Sequence, residues 1–432
     1  MLTFSLNLTK VLQELKEQKI DLYAFVNELC DRIEENESYV HALVPEQNRR
    51  ERLLKDAVQL EKRFPDKEKR PPLFGLPVGV KDNIRVDGFP TKAGSQLPEQ
   101  LFSGDEAACV TLLKEAGALI IGKTAMTEFA FFEPASTTNP HNVEHTPGGS
   151  SSGSAAGVAA GFFALALGTQ TIGSVIRPAA FCGVVGFKPT FDRISTNGSI
   201  YFSRSVDHIG LFSQDLEGMK IAASVVCQDW DEKKASTAKT IPVIGVPEGP
   251  YLGQMSLESL VQFESNVTDL ERSGYTVKRV PVFEEIDVIN RLQRELTLYE
   301  LAKEHSEWII EYGPLYSPFT SESIATGKQI SASTVAKAKD MARNLRSDLH
   351  NIMDENGIDI WVCPSALGTA PKGLHTTGDP VMNVPWTFTG MPAINIPVGT
   401  GEYNLPLGLQ FVARYGDDER LLACTEGMKW VK

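Results

Sequence analysis

Residues 147–190 read PGGSSSGSAAGVAAGFFALALGTQTIGSVIRPAAFCGVVGFKPT. Gly and Ser dominate the start, a small apolar run follows, and a second Gly-Ser corner comes at Gly173-Ser174. Ser150 and Ser174 thus stand at flexible corners on either side of an apolar segment. A third Gly-rich corner lies upstream at Gly79-Val80-Lys81-Asp82-Asn83, with Lys81 directly after an apolar strand pattern. A serine hydroxyl needs a base to attack at neutral pH. The seven histidines (His41, His141, His145, His208, His305, His350 and His375) all lie outside such corners. Lysine serves as a base when burial lowers its pKa; moving it from about 10.4 to near 7 costs roughly 5 kcal/mol. The residues alone leave two readings open. One is a serine hydrolase with a lysine base. The other is a strand-end lysine in solvent, a Ser-rich helix cap and a turn.

Outward from this stretch, strands and helices alternate, which predicts an α/β fold: a single large domain with a central mixed β-sheet flanked by helices. Apolar spacing predicts helices over 8–15 and 22–33, and a charged helix over 49–63. A strand over 75–80 ends at Lys81. A helix over 106–116, a strand over 118–121 and a loop over 131–146 follow. Serines 150–154 are expected to cap a helix over 155–161, with strands at 162–167 and 184–187. Beyond, 231–239 reads as a charged surface loop. Strands at 241–246 and 275–282 bracket a helix over 257–272. Residues 284–355 read as mostly helical, a cap or an oligomer face. Strands at 358–363 and 408–412 and a helix over 420–430 close the chain. The domain spans 1–432: N-terminal helices to 70, a core over 71–215, the helical insertion at about 284–355 and pocket segments over 356–432.

With 42% hydrophobic residues in 432, the chain can bury a large core. A net charge of -13 argues against nucleic acid or an anionic membrane as main partner. Six scattered cysteines without a CxxC pair suit reduced, buried thiols and a cytoplasmic setting. No leader is read at the N-terminus, and the weakly polar run 155–167 is too short to span a bilayer. No carboxylate pair or His cluster has metal-ligand spacing, so neither metal nor cofactor is expected.

Further motifs sharpen the first reading. GGSSSGS occupies 148–154, and Ser174 follows Ser150 by 24 positions. GVKDN at 79–83 precedes GFPT at 88–91. GKTAMTEFA lies at 122–130, CGVVGFKPT at 182–190 and Ser205-Val206-Asp207 after it. PWT at 385–387, GMPA at 390–393 and PLGLQ at 406–410 complete the order. Together they resemble the amidase signature family, serine hydrolases with a Ser-cisSer-Lys triad that cleave carboxamides. The resemblance implies Ser174 as nucleophile, Ser150 as relay after a cis peptide, and Lys81 as base. It also implies an oxyanion hole from the N–H groups of Thr171, Ile172, Gly173 and Ser174, around a small-molecule amide substrate. A homodimer is expected.

Three features depart from the commoner TDTGGS form of the family. Gln170 replaces an Asp, so any ion pair there is lost. Ile172 replaces a Gly, and its bulk must narrow the site or enter the core. The arginine moves to Arg177, three residues after the nucleophile. Gln170 with Ser174-Val175-Ile176-Arg177-Pro178 resembles the malonamidase-like branch, in which that arginine holds a substrate carboxylate. Arg177 is thus either an anion clamp or a support for buried loop carbonyls. The favoured reading is an amidohydrolase of a small acidic amide. Its rivals are the amidase subunit of a tRNA-dependent amidotransferase and a non-catalytic homologue disabled through Ile172.

Four local patterns imitate other chemistries. Gly117–Thr124 fits a P-loop expression, but its middle is an apolar strand. GSSSG at 149–153 fits an esterase elbow without the required preceding strand. STAK at 236–239 fits SxxK inside the charged 231–239 segment. Cys182 sits in core-like sequence.

Overall fold

The computed structural model describes residues 1–237, 241–426 and 428. Its centre is one ten-stranded mixed sheet. The strands are β1 (Pro77–Lys81), β2 (Leu119–Thr124), β3 (Leu165–Gln170), β4 (Val185–Lys188), β5 (His208–Ser213), β6 (Val243–Glu248), β7 (Thr276–Pro281), β8 (Ile360–Pro364), β9 (Ala393–Thr400) and β10 (Pro406–Val412). Their order is β2-β1-β3-β5-β4-β9-β10-β8-β6-β7. Parallel pairs at both ends (β1 with β2 and β3, β6 with β7 and β8) flank an antiparallel centre. Strands β1, β2 and β3 are buried at every residue, as strands covered on both faces are. The edge strand β7 instead exposes Lys278 and Arg279, charges that discourage edge-to-edge pairing.

Helices α1 (Leu8–Lys16), α2 (Leu22–Val40) and α3 (Arg49–Arg63) open the chain. They follow the sequence pattern, with α2 running on to Val40. Helix α4 (Ala108–Glu115) leads into β2, and α5 (Ser152–Ala159) packs on β1 and β3. The approach depends on Gly157, where an added Cβ would lie 2.1 Å from the Phe163 ring. Helices α6 (Ile176–Cys182), α7 (Leu216–Val226) and α8 (Glu232–Thr237) follow. After β6 comes α9 (Leu257–Arg272), then the helical segment α10 (Ile286–Glu304), α11 (Trp308–Tyr312), α12 (Pro318–Gly327) and α13 (Ala332–Asn356). Short α14 (Val384–Phe388) precedes β9, and α15 (Asp418–Glu426) follows β10.

Several expectations are corrected. The strand predicted over 162–167 is β3, shifted to 165–170, because it pairs with β5 all the way to Gln170–His208. The loop expected over 231–239 contains α8, whose start is held by Asp231 Oδ1 accepting from Lys233 N at 2.9 Å. Residues 238–240, including Lys239 of the SxxK pattern, lie outside the described residues, as does the helix expected over 427 and 429–430. The serines do not cap α5: Ser151 stands at its N-cap without a side-chain capping bond. Its hydroxyl donates to Thr169 O and accepts from Thr169 N, while Ser154 Oγ donates to Leu167 O. The backbone of β3 takes the hydroxyls before the helix end can. Strand β5 and helices α6 and α7 lay outside the predicted elements. All six cysteines are buried free thiols, and among the described residues no helix is long and apolar enough to cross a membrane.

Candidate active site

Strand β1 ends by delivering Lys81 into the protein interior, fully buried. Its Nζ donates to Ser150 Oγ at 2.8 Å, Thr169 Oγ1 at 2.7 Å and Thr169 O at 3.3 Å. Burial drives the Lys81 pKa well below its ordinary value, opposed by the Asp207 carboxylate. The lysine therefore belongs to the buried alternative rather than the solvent-facing one. Asp207 accepts from Thr171 Oγ1 at 2.6 Å, Phe202 N at 2.7 Å and Ser203 N at 3.0 Å, and burial pushes its carboxyl up to about 6. The peptide between Gly149 and Ser150 is cis.

Ser174 lies at the turn between β3 and α6, facing a cavity of about 20 Å³ lined also by Thr171, Ile172, Arg177, Phe202 and Pro380. That space holds about one water. No histidine lines it. Among the described residues, no hydrogen bond joins Ser174 Oγ to Ser150 Oγ, so the second link of the relay is open in this state. Such links tighten on substrate binding in many sites.

Three of the turn's carbonyls are tied back. Thr171 O accepts from Gln293 Nε2 at 3.1 Å, Ile172 O from Thr387 Oγ1 at 2.5 Å, and Gly173 O from Arg177 N at 2.9 Å. The N–H groups of Thr171, Ile172, Gly173 and Ser174 have no acceptor among the described residues. Four free donors on one turn can stabilise an oxyanion. Gly173 is required by crowding: an added Cβ would lie 2.2 Å from Asn383 Oδ1.

The departures at 170 and 172 acquire physical content. Gln170 Oε1 accepts from Val175 N at 2.8 Å and Ile176 N at 3.0 Å, while its Nε2 donates to Thr387 Oγ1 at 2.8 Å. An Asp could accept at α6 but could not donate to Thr387. Gln170, Thr387 and the Ile172 carbonyl thus form one chain that orients the turn. Thr387→Val should lower kcat about tenfold with little change in KM, because it removes a hydrogen bond that positions the turn rather than one to substrate; steady-state ammonia release measures it. Ile172 is partly exposed, and it lines both the Ser174 cavity and a neighbouring groove of about 290 Å³ that includes Phe131, Phe132, Gln293, Arg294 and Phe319. It also packs against the main hydrophobic core, so both expected placements are met in part.

Arg177 is buried, and its Nη2 donates to Gly149 O at 2.7 Å and Thr377 Oγ1 at 3.1 Å. Among the described residues, its Nε and Nη1 are buried without hydrogen-bond partners. Burial lowers its pKa to about 10, against the pull of Asp379. Among the imitating patterns, Lys123 lies in β2 and pairs with buried Asp82 at 3.1 Å, leaving no phosphate cradle. Burial pushes the Cys182 thiol upward, away from the reactive thiolate.

The amidase family model matches residues 24–422. This chain belongs to the amidase family. Family membership makes it a hydrolase of amide C–N bonds. A solved amidase structure superposes with a TM-score of 0.87 over 98% of both chains, at 29% identity. A glutamyl-tRNA(Gln) amidotransferase subunit from an Exiguobacterium species is 30% identical, with 98% of this chain and 96% of the relative covered. The corresponding protein of Prochlorococcus marinus is 28% identical over 96% and 95%. By name both belong to amidotransferases, and neither is a malonamidase.

Sequence reading of this amidase missed the supporting groups. Asp207 was visible only as a motif letter, without a role. Thr169, Gln170 and Thr387 gave no signal of contact. Gln293 carries one trace: a polar residue on the buried face of α10 between Leu292 and Leu296.

Proposed function

We propose that this amidase cleaves a linear carboxamide through an acyl-enzyme on Ser174, with Ser150 and Lys81 carrying the proton. The observation that carries the reading is the buried bond from Lys81 to Ser150, beside a turn with four unpartnered N–H groups. Ser174 Oγ attacks the amide carbon, and its proton passes to Ser150 as the Ser150 proton passes to neutral Lys81. The N–H groups of residues 171–174 hold the oxyanion. The proton returns to the leaving nitrogen, the C–N bond breaks, and water then releases the carboxylate.

The setting that the relatives' names support is that of the amidase subunit of an amidotransferase, working with partner subunits. The second setting is a free-standing homodimer acting on a small acidic, malonamate-like amide. Its support is Arg177, whose Nε and Nη1 are buried, unpartnered and beside Ser174's cavity. An ammonia-release screen over acidic, neutral and aromatic amides, together with the mass of the purified assembly, separates the two. Turnover by a homodimer favours the second; turnover only with partner proteins favours the first. No turnover and no Ser174 labelling by a phosphonate under either condition would sink both. Under the second setting, Arg177→Ala should raise KM for acidic amides about tenfold or more over that for neutral ones. Equal changes for both would reduce Arg177 to its bonds with Gly149 and Thr377.

A further inference from the structure

On a chain of net charge -13, one cavity is walled by cations. It has a volume of about 420 Å³ and lies between α10, α13, the 204–206 loop and the 387–390 turn. Arg204, Lys339, Arg343 and Arg346 line it, and among the described residues no carboxylate does. Lys339, Arg343 and Arg346 follow at i, i+4 and i+7 on α13, which brings them to one side of the helix. Their countercharges stand outside the wall. Glu304 pairs with Arg204, Glu300 with Lys339 at 3.0 Å, and Asp340 with Arg343. These three cationic side chains are 61%, 42% and 62% exposed, so each keeps a solvent-facing side; Arg204 holds both Glu304 oxygens, whereas the Asp340–Arg343 pair is exposed on both partners and weak. Arg346 has no carboxylate partner among the described residues; it lies over the Tyr415 ring, 4.2 Å from the centroid. The rest of the wall is largely apolar, with Phe191, Leu296 and Phe388. The cavity shares no lining residue with the Ser174 cavity or its groove.

We propose that this cavity is a second binding site, for a small organic anion: a phosphate or carboxylate headgroup on an apolar body. Guanidinium forks match either headgroup bidentately, and the phenyl rings of Phe191 and Phe388 offer a face for the body. The pattern of four cations with no acid at the wall, against the sign of the whole chain, favours an anion over a neutral ligand.

Isothermal titration of the full chain with phenyl phosphate tests this, with benzoate, benzyl alcohol and inorganic phosphate in parallel. Phenyl phosphate or benzoate should bind saturably with one-to-one stoichiometry. Affinity should fall at least tenfold, as an order of magnitude, in an Arg343→Gln/Arg346→Gln variant whose melting temperature matches wild type. Raising the salt concentration should weaken binding in wild type. No saturation by about 10 mM of either aryl anion overturns the site. Equal affinity in the double variant, or equal affinity for benzyl alcohol, also overturns it. Inorganic phosphate binding as tightly as phenyl phosphate removes the apolar body from the assignment. Should the double variant melt early, Arg346→Lys alone provides the comparison: unchanged phenyl phosphate affinity there counts against a guanidinium clamp, and a loss supports it.

Discussion

Replacing Ser174 by Ala lowers carboxamide turnover by roughly 10⁴- to 10⁶-fold, the scale on which nucleophile deletions act in serine hydrolases. The loss falls on kcat, because Ser174 lies at a cavity whose walls survive the change. A phosphonate that adds its mass to the wild-type chain adds none to the variant, and intact-mass spectrometry reads this directly. The buried Lys81–Ser150 bond and the donors on the 171–174 turn remain in the variant, so a residual rate above water is expected. Because the three groups act as a unit, adding Ser150→Ala to Ser174→Ala should cost little more. Ser174→Ala with wild-type turnover would end the acyl-enzyme reading.

Lys81→Met removes the proposed base while keeping an unbranched side chain in a fully buried slot, and should lower kcat by roughly 10³- to 10⁵-fold. The sign of the accompanying pH dependence follows from burial. Lys81 accepts a proton only when neutral, and burial holds its pKa well below the ordinary value. The wild-type rate should therefore rise with pH through that lowered value and then level off. In Lys81→Met the residual rate should lose this limb. Asp207 acts in the opposite direction, since its carboxylate raises the Lys81 pKa. In Asp207→Asn the acid limb should move to lower pH, a shift that loss of the bonds to Thr171, Phe202 and Ser203 would not by itself produce. A flat wild-type profile between pH 6 and 9, with chemistry rate-limiting, would rule out a titrating lysine; these bounds are about the ordinary working range.

The parts of the fold that could be read from the sequence are those where local periodicity and burial agree. Helix α3 and helix α9 lie where the sequence puts a charged helix and a helix stopped by Gly274, at 49–63 and 257–272. The strand ending at Lys81 was legible because an apolar run stops at a charge. β3 was displaced and β5 was missed because partner strands set their limits: Gln170 belongs to β3 only through its pairing with His208. Serines 150–154 misled for a related reason. Local rules send such hydroxyls to a helix end, but here the backbone of β3 lies within reach and takes them.

For this protein, order and spacing along the chain determined the family and the three residues of the proposed proton path, since Gly-Ser corners and a lysine at a strand end are local features. What surrounds them was decided only by tertiary structure. Asp207 acts on Lys81, Thr387 and Gln293 hold carbonyls of the turn, and Arg177 reaches Gly149 across the cis peptide. Each of these contacts joins positions far apart in sequence, except within the short span from Gly149 to Arg177. The pKa of a lysine and the free N–H groups of a turn depend on burial and on where competing acceptors stand. Both are properties of the packed molecule.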